Sequence, residues 1–372
     1  MFVGITNTPR DYAWGSRTAM AALLGRTPSG EPEAELWLGT HPGSPSRLVA
    51  GTGTLADITT LPFLLKVLAA ESPLSLQAHP NLAQAAAGFA RENAAGVPLD
   101  APFRNYKDAL HKPELLYALS ASFEALCGFR PVAATRELLS SLGADPLLAG
   151  LLDRLADDAS LPSVFEWLIS RGEGVDDLVR RVVELAASAS GPEFATVVSL
   201  AGAYPGDPGI VISLLLNRVT LSQGEVLYLP AGNIHAYLSG LGIELMAASD
   251  NVLRGGLTAK HIDVPELLSV LDFTPLPVPL LAPSHPSPGI TVYRPDVPDF
   301  ELVVISAENE GAAVSYSPES DSIALCTEGF LHLRGARGEF ELRRGDAVYV
   351  TADEAPLTFA GPGTVFLADT PR

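Results

Sequence analysis

LSQGEVLYLPAGNIHAYLSGLGIELMAASDNVLRGGLTAK, residues 221–260, decides how this chain folds. Ser222, Gln223 and Gly224 form a turn signal, and Val226 to Leu229 follow as a short apolar strand. Pro230 stops that strand, Ala231-Gly232 turns the chain, and His235 and Tyr237 begin the return strand. A histidine at the start of a strand rising from a buried sheet can point into the mouth of a barrel. A lone histidine can equally be a hydrogen-bonded core or loop residue, so partners elsewhere in the chain must decide.

The same unit recurs downstream. Gly224-Glu225-Val226-Leu227-Tyr228-Leu229-Pro230-Ala231 and Gly345-Asp346-Ala347-Val348-Tyr349-Val350-Thr351-Ala352 share a glycine–acid start, a tyrosine and a closing alanine. Their flanking glycines, Gly240 and Gly361, fall at the same distance, and Pro356 stands where the first copy has His235. A repeated strand–turn–strand unit predicts two related jelly-rolls, of which only the first keeps its histidine. His332 has no partner in the second unit and reads as structural.

Outside these two units the pattern divides the chain. Residues 1–130 are short strands and turns punctuated by Gly and Pro, with Trp14 and Trp37 as core or pocket-wall aromatics and His41 as a turn residue. Residues 131–217 change to helical spacing, with acids such as Asp176 and Asp177 in a first turn, and carry no motif for chemistry. A short helix is expected at 263–271, after Asp263, and a proline-rich connector follows, in which His285 reads as incidental. The expected fold is mainly β with a helical insertion: two jelly-roll β-sandwiches of cupin-like type plus an α-helical domain. The expected units are 1–130 with 218–273 as a discontinuous catalytic jelly-roll, 131–217 as the insertion, and 286–372 as a degenerate C-terminal jelly-roll.

Composition excludes several classes. Hydrophobic residues make up 47% and charged residues 18%, ample for large cores. A net charge of −19 with no basic stripe argues against nucleic acid or an anionic membrane as partner. No run of 18 apolar residues is present, and the start lacks a basic-then-apolar leader, so a soluble protein is expected. Cys127 and Cys326 lie far apart without metal spacing and read as buried free thiols, which places the chain in the cytoplasm. Of 24 basic residues only Lys66, Lys107, Lys112 and Lys260 are lysine, and three of them sit in dense polar blocks.

The spacing G-x5-P-x-G-x2-H around His235 resembles the second motif of cupin jelly-rolls, whose histidine is a metal ligand. Candidate partners follow from the period of two in a strand. In 73–80, Ser75, Gln77 and His79 share one face between Leu74, Leu76 and Ala78, which is not a core pattern. Pro113 forces extended geometry before it and puts Lys112 and Glu114 on one side, close to His111. Gln77, His79, Glu114 and His235 would supply two nitrogens and two oxygens, a set suited to zinc first, with manganese, cobalt or iron possible. Glu244, flanked by apolar residues, would have its pKa raised by burial and serve as a base. Ser249-Asp250-Asn251 is a loop cluster, and Arg254 with Lys260 can hold an anion such as phosphate.

Together these segments resemble the type I mannose-6-phosphate isomerases. The matching pieces are Tyr12 to Gly15, Ala34 to His41, the Lys66 strand, Leu74 to Pro80, Asn105 to Glu114, Pro230 to Tyr237 and Ser249 to Lys260, in order. The resemblance implies that Gln77, His79, Glu114 and His235 are zinc ligands and that Arg254 acts in catalysis. It further implies that Ser75, Lys112, Glu244 and Lys260 line the substrate pocket, with Lys112 and Glu244 joining Arg254 in the chemistry and Asp250 among the substrate contacts. Leu110 and Ala259 depart from the family at positions commonly polar and proline; neither removes a ligand. The implied reaction converts mannose 6-phosphate and fructose 6-phosphate through an enediol. A metal-dependent cupin oxygenase and a non-catalytic sugar-phosphate sensor stand as alternatives. A small sugar phosphate is the expected partner, and closed sandwiches with a helical cap are compatible with a monomer.

Overall fold

Two strands of 13 residues each, His235–Ala247 and Ser322–Arg334, carry the architecture. The computed structural model describes residues 1–307 and 313–371. The first half of His235–Ala247 pairs with Leu76–Ala78 and Ser122–Phe129, and its second half with Phe63–Ala70 and Glu114–Ala118. The changeover lies at a register shift between Tyr237 and Ser239, followed by Gly240 at φ +132°. A Cβ at Gly240 would come within 2.5 Å of the Phe123 ring, so the bend requires glycine. One long strand thereby serves both faces of a nine-stranded sandwich. Glu35–Gly39 and Val226–Leu229 flank one face; Leu253–Gly256 and Leu216–Ser222 flank the other.

The C-terminal half repeats the device. Ser322–Arg334 pairs through its first half with Ala347–Val350 and Gly363–Asp369, and through its second with Glu339–Arg343 and Leu357–Ala360. The repeat read from the sequence is present in the backbone: Gly224 and Gly345 both stand at φ +92°, and Gly240 and Gly361 at +132° and +118°. Its interior is filled by Val303, Ile305, Leu331, Leu333, Leu342, Phe359 and Leu367. Its buried interior is thus apolar, unlike the polar site of the first sandwich.

One expectation needs correction. The strand pattern assigns residues 1–130 to the first sandwich, but Phe2–Thr6 pairs with Ala347–Val350 and Arg47–Leu48 in the second sheet. A five-residue apolar run carries no record of which edge it will join, and its partner lies more than 340 positions away. Ile5, Leu38, Leu65 and Ile243 share a buried core with Phe300, Leu325, Tyr349 and Phe366, so the two halves pack as one body.

The helices Val132–Ser140, Pro146–Arg154, Leu161–Ile169, Val175–Ala186, Pro192–Ala203 and Gly209–Ile212 lie where the helical spacing places them. Their core of Leu148, Val164, Phe165, Leu178, Val182 and Val197 continues into Leu76, Leu126, Phe129, Ile234 and Leu253 of the sandwich. Leu76 and Ala78 therefore face the helices, and the side chain between them, Gln77, is left to face inward. The helix Leu82–Ala94 starts at Asn81 in a reciprocal capping box with Gln84, and Val264–Val270 starts at Asp263. Among the described residues, no helix is long and apolar enough to cross a membrane.

Candidate active site and metal centre

Glu114 is buried at the start of the Glu114–Ala118 strand and serves two imidazoles at once. Its Oε1 lies 3.4 Å from His79 Nε2, and its Oε2 lies 3.3 Å from His235 Nε2. Both rings are oriented from behind: His79 Nδ1 is 2.7 Å from the Asn251 carbonyl and His235 Nδ1 is 3.1 Å from the Asn233 carbonyl. A carbonyl only accepts, so each Nδ1 carries the hydrogen and each Nε2 is turned toward the carboxylate. Burial pushes His79 down to about 4, which keeps that ring neutral at pH 7. Among the described residues its buried Nε2 has no hydrogen-bond partner.

Lone pairs converging on a carboxylate repel unless a cation stands between them. Ligand atoms of His79, Glu114 and His235 lie within 4.8 Å of one another, a reach that one divalent ion spans. Gln77 lies directly across from His235 in the ladder, and its side chain lines the same enclosed space of about 50 Å³. That volume holds little more than an ion and a water. Two imidazole nitrogens, a carboxylate and an amide oxygen fit zinc by donor type. Burial opposes ionisation of Glu114, but the Lys112 ammonium, 2.9 Å from Oε1, holds the carboxyl well below the usual carboxylate range.

A second buried cluster adjoins the first. Lys66 and Glu244 face each other across adjacent strands, with Lys66 Nζ 2.8 Å from Glu244 Oε2 and 3.8 Å from Glu35 Oε1. Burial works to discharge Lys66, yet Glu244, Glu35 and Glu114 together raise its pKa, so it stays charged. Burial raises Glu244, with Lys66 opposing. Trp37 covers the ammonium, its ring centroid 5.1 Å away, and donates its indole N–H to Glu35 Oε2 at 2.9 Å. The buried Tyr237 hydroxyl lines the same space as Glu244 and Glu114, and burial together with those two carboxylates raises its pKa.

The neighbouring cleft is cationic. It encloses about 410 Å³, within the size range of small-molecule sites; Ser75, Tyr204, Arg254 and Lys260 line it together with Glu35, whose carboxylate is engaged by Trp37 and Lys66. Arg254 Nη1 donates to Ser75 Oγ at 3.2 Å, and among the described residues neither Arg254 nor Lys260 meets a carboxylate. Burial lowers the Arg254 pKa, and Arg254, followed by burial, lowers that of Lys260. Two partly desolvated cations that disfavour each other form a place for an anion.

The structure thus brings His79, Glu114 and His235 together, places Gln77, Lys112 and Glu244 on the small cavity that Glu114 and His235 also line, and places Ser75, Arg254 and Lys260 on the adjoining cleft. Asp250 stands apart, half-exposed on a wider opening that also contains Arg254 and Lys260. His41, read as a turn residue, is buried with its Nε2 3.4 Å from Asp250 Oδ1. Sequence reading passes over Glu35 and Tyr237, which sit inside apolar strands and look like ordinary strand residues. Lys66 carries a signal, a lone charge in an apolar strand, but nothing local names its partner.

The sequence profile "Phosphomannose isomerase type I, catalytic domain" matches residues 2–60 and 50–132. The mannose-6-phosphate isomerase of Escherichia coli (strain K12) is 37% identical, across 96% of this chain and 97% of its own length. That of Homo sapiens is 33% identical, across 93% of this chain and 92% of its own. The crystal structure of mannose 6-phosphate isomerase from Salmonella typhimurium, bound to its substrate (fructose 6-phosphate) and zinc, superposes with a TM-score of 0.92 at 36% identity, covering all of both chains.

Proposed function

The chain belongs to the type I mannose-6-phosphate isomerases, and on that premise we infer how its own side chains divide the work. It interconverts mannose 6-phosphate and fructose 6-phosphate, an aldose–ketose isomerisation, and zinc is its metal. This sets aside the oxygenase and sensor readings. The observation that carries the inference is the pair of imidazoles aiming their Nε2 atoms at opposite oxygens of buried Glu114, beside two cations that, among the described residues, form no ion pair.

In this reading Gln77, His79, Glu114 and His235 hold the ion, which when bound supplies Lewis-acid polarisation of a sugar oxygen. Ser75, Arg254 and Lys260 receive the phosphate and so fix the reacting carbons at the Glu114 end of the cleft. Glu244 takes the proton from C2 of the open-chain aldose. The C2–H electron pair becomes the C1–C2 double bond as the C1 carbonyl π pair moves onto O1, which takes up a proton to give the enediol. Loss of the O2 proton then forms the C2 carbonyl while the C1–C2 π pair takes the proton back from Glu244 at C1 of the ketose. Burial raises the affinity of Glu244 for that proton, and Lys66 keeps the carboxylate available to collect it. Lys112, on the Glu114 side, offsets negative charge developing on the sugar oxygens. Asp250 lies at the outer opening as a contact for the sugar phosphate on its way in.

The nine-stranded sandwich is then the catalytic unit, 132–212 its helical wall, and the C-terminal sheet a degenerate copy. Two buried free thiols and the acidic balance support a cytoplasmic setting, and the closed sandwiches support a monomer. Purified protein incubated with fructose 6-phosphate should yield mannose 6-phosphate, lose activity on chelation and regain it with zinc. A metal-loaded protein that yields no mannose 6-phosphate contradicts the reading, and a single mass in solution light scattering tests the monomer.

A further inference from the structure

The helical insertion reaches the anion end of the cleft through a single turn, Tyr204 to Asp207. Asp207 Oδ1 accepts from the backbone N–H of Leu257 at 2.9 Å and of Gly209 at 2.7 Å, while Oδ2 accepts from Thr258 N–H at 3.3 Å. Leu257 is fully buried and stands at φ +53°, a left-handed conformation that a leucine adopts only when its surroundings impose it. The approach of the two segments is close: a Cβ on Gly256 would lie 3.1 Å from Gly209 Cα, and one on Gly209 would lie 2.9 Å from Leu257 N. From the same turn, the Tyr204 hydroxyl donates to the Pro73 carbonyl at 2.7 Å, two residues before Ser75. One turn of the insertion therefore grips both segments that carry the cationic cleft, the strand leading to Ser75 and the loop from Arg254 to Lys260.

We propose that Asp207 is a positioning residue for phosphate: its carboxylate holds the Leu257–Thr258 backbone in the left-handed turn that sets Lys260 opposite Arg254. The proposal rests on the reading above that Ser75, Arg254 and Lys260 receive the phosphate. The physical logic is that two like charges, Arg254 lowering the pKa of Lys260, move apart unless the backbone between them is fixed. Two N–H donors of that backbone, from Leu257 and Thr258, are held on the one carboxylate, which Gly209 N–H anchors from the insertion side; within the loop, Lys260 N–H makes a local bond to Thr258 Oγ1 at 3.1 Å. Asp207 touches no reacting atom, so its loss should weaken binding of the anion and leave the proton transfer alone.

The test compares the zinc-loaded enzyme with Asp207→Ala, Asp207→Asn and, separately, Lys260→Ala. The readouts are KM and kcat with fructose 6-phosphate and the inhibition constant of inorganic phosphate. Asp207→Ala should raise both KM and the phosphate constant about fivefold, the scale of one net hydrogen bond, with kcat within about twofold. Asp207→Asn keeps the oxygen shared by Leu257 and Gly209 and should fall between; it also keeps the test usable should the alanine variant fold poorly. Lys260→Ala should weaken phosphate at least about tenfold. If it does while both Asp207 variants bind phosphate like the parent, the positioning role is overturned and the anion reading stands. If Lys260→Ala leaves phosphate affinity unchanged, the anion reading falls and the positioning role falls with it.

Discussion

Lys66 Nζ lies 2.8 Å from Glu244 Oε2, and both side chains are almost wholly withdrawn from water. Removing one partner of such a pair costs about 3–5 kcal/mol, because the other is left charged and unsolvated. Lys66→Met should therefore lower stability toward the smaller end of that range, since Glu244 can relieve itself by taking a proton. A protonated Glu244 is no base, so kcat should fall at least about a hundredfold. Replacing both, Lys66→Met with Glu244→Leu, should recover much of the stability and none of the activity. Denaturant melts paired with steady-state rates check this; a single variant with normal kcat contradicts it.

Zinc retention and chemistry should separate between the two histidines and Lys112. His79→Ala and His235→Ala each remove a donor nitrogen and should leave the purified protein with little zinc and no activity. Lys112→Met removes a positive charge beside the site, so zinc should be held at least as tightly, while kcat falls about 10²–10³-fold. Metal content by mass spectrometry alongside the assay distinguishes the two classes.

The thiols should be silent. Burial pushes Cys127 up to about 12, against a weak hydrogen bond to Asn233, and burial pushes Cys326 up to about 11. The thiolate is the reactive form, so at pH 8 well under about 1% of either is available, and both are shielded besides. Iodoacetamide should label neither in the folded protein and both after denaturation. The same shift predicts that stability is full below the unfolded thiol value of about 8.5 and declines as pH rises from there through 11 and 12.

Gly240 tests the fold. At φ +132° and with the Phe123 ring 2.5 Å from any Cβ, Gly240→Val should destabilise by about 2–4 kcal/mol, read as a lowered denaturant midpoint. A variant as stable as the parent would mean that the long strand does not depend on glycine to change faces.

What the sequence disclosed and what it withheld have physical causes. Gln77 and His79 are legible because strand periodicity puts polar residues on a face that Leu76 and Ala78 do not use. His235 is legible because Pro230 and Gly232 frame it. The pairing of Lys66 with Glu244 is not, since the two are 178 positions apart and each reads locally as an isolated charge in an apolar strand. The insertion carries no motif for chemistry, yet Tyr204 lines the cleft and Asp207 holds the Leu257–Thr258 backbone beside it, through contacts to backbone groups that leave no side-chain pattern. The same holds for the Asn251 carbonyl behind His79.

Four side chains around one cation is the claim on which the rest depends. The most direct measurement is an anomalous difference map at the zinc edge from crystals of the protein as purified. One peak should lie within about 2.0–2.2 Å of His79 Nε2, His235 Nε2, a Glu114 oxygen and the Gln77 amide oxygen. A strong peak elsewhere in the chain, with none at this point in fully active protein, would contradict it.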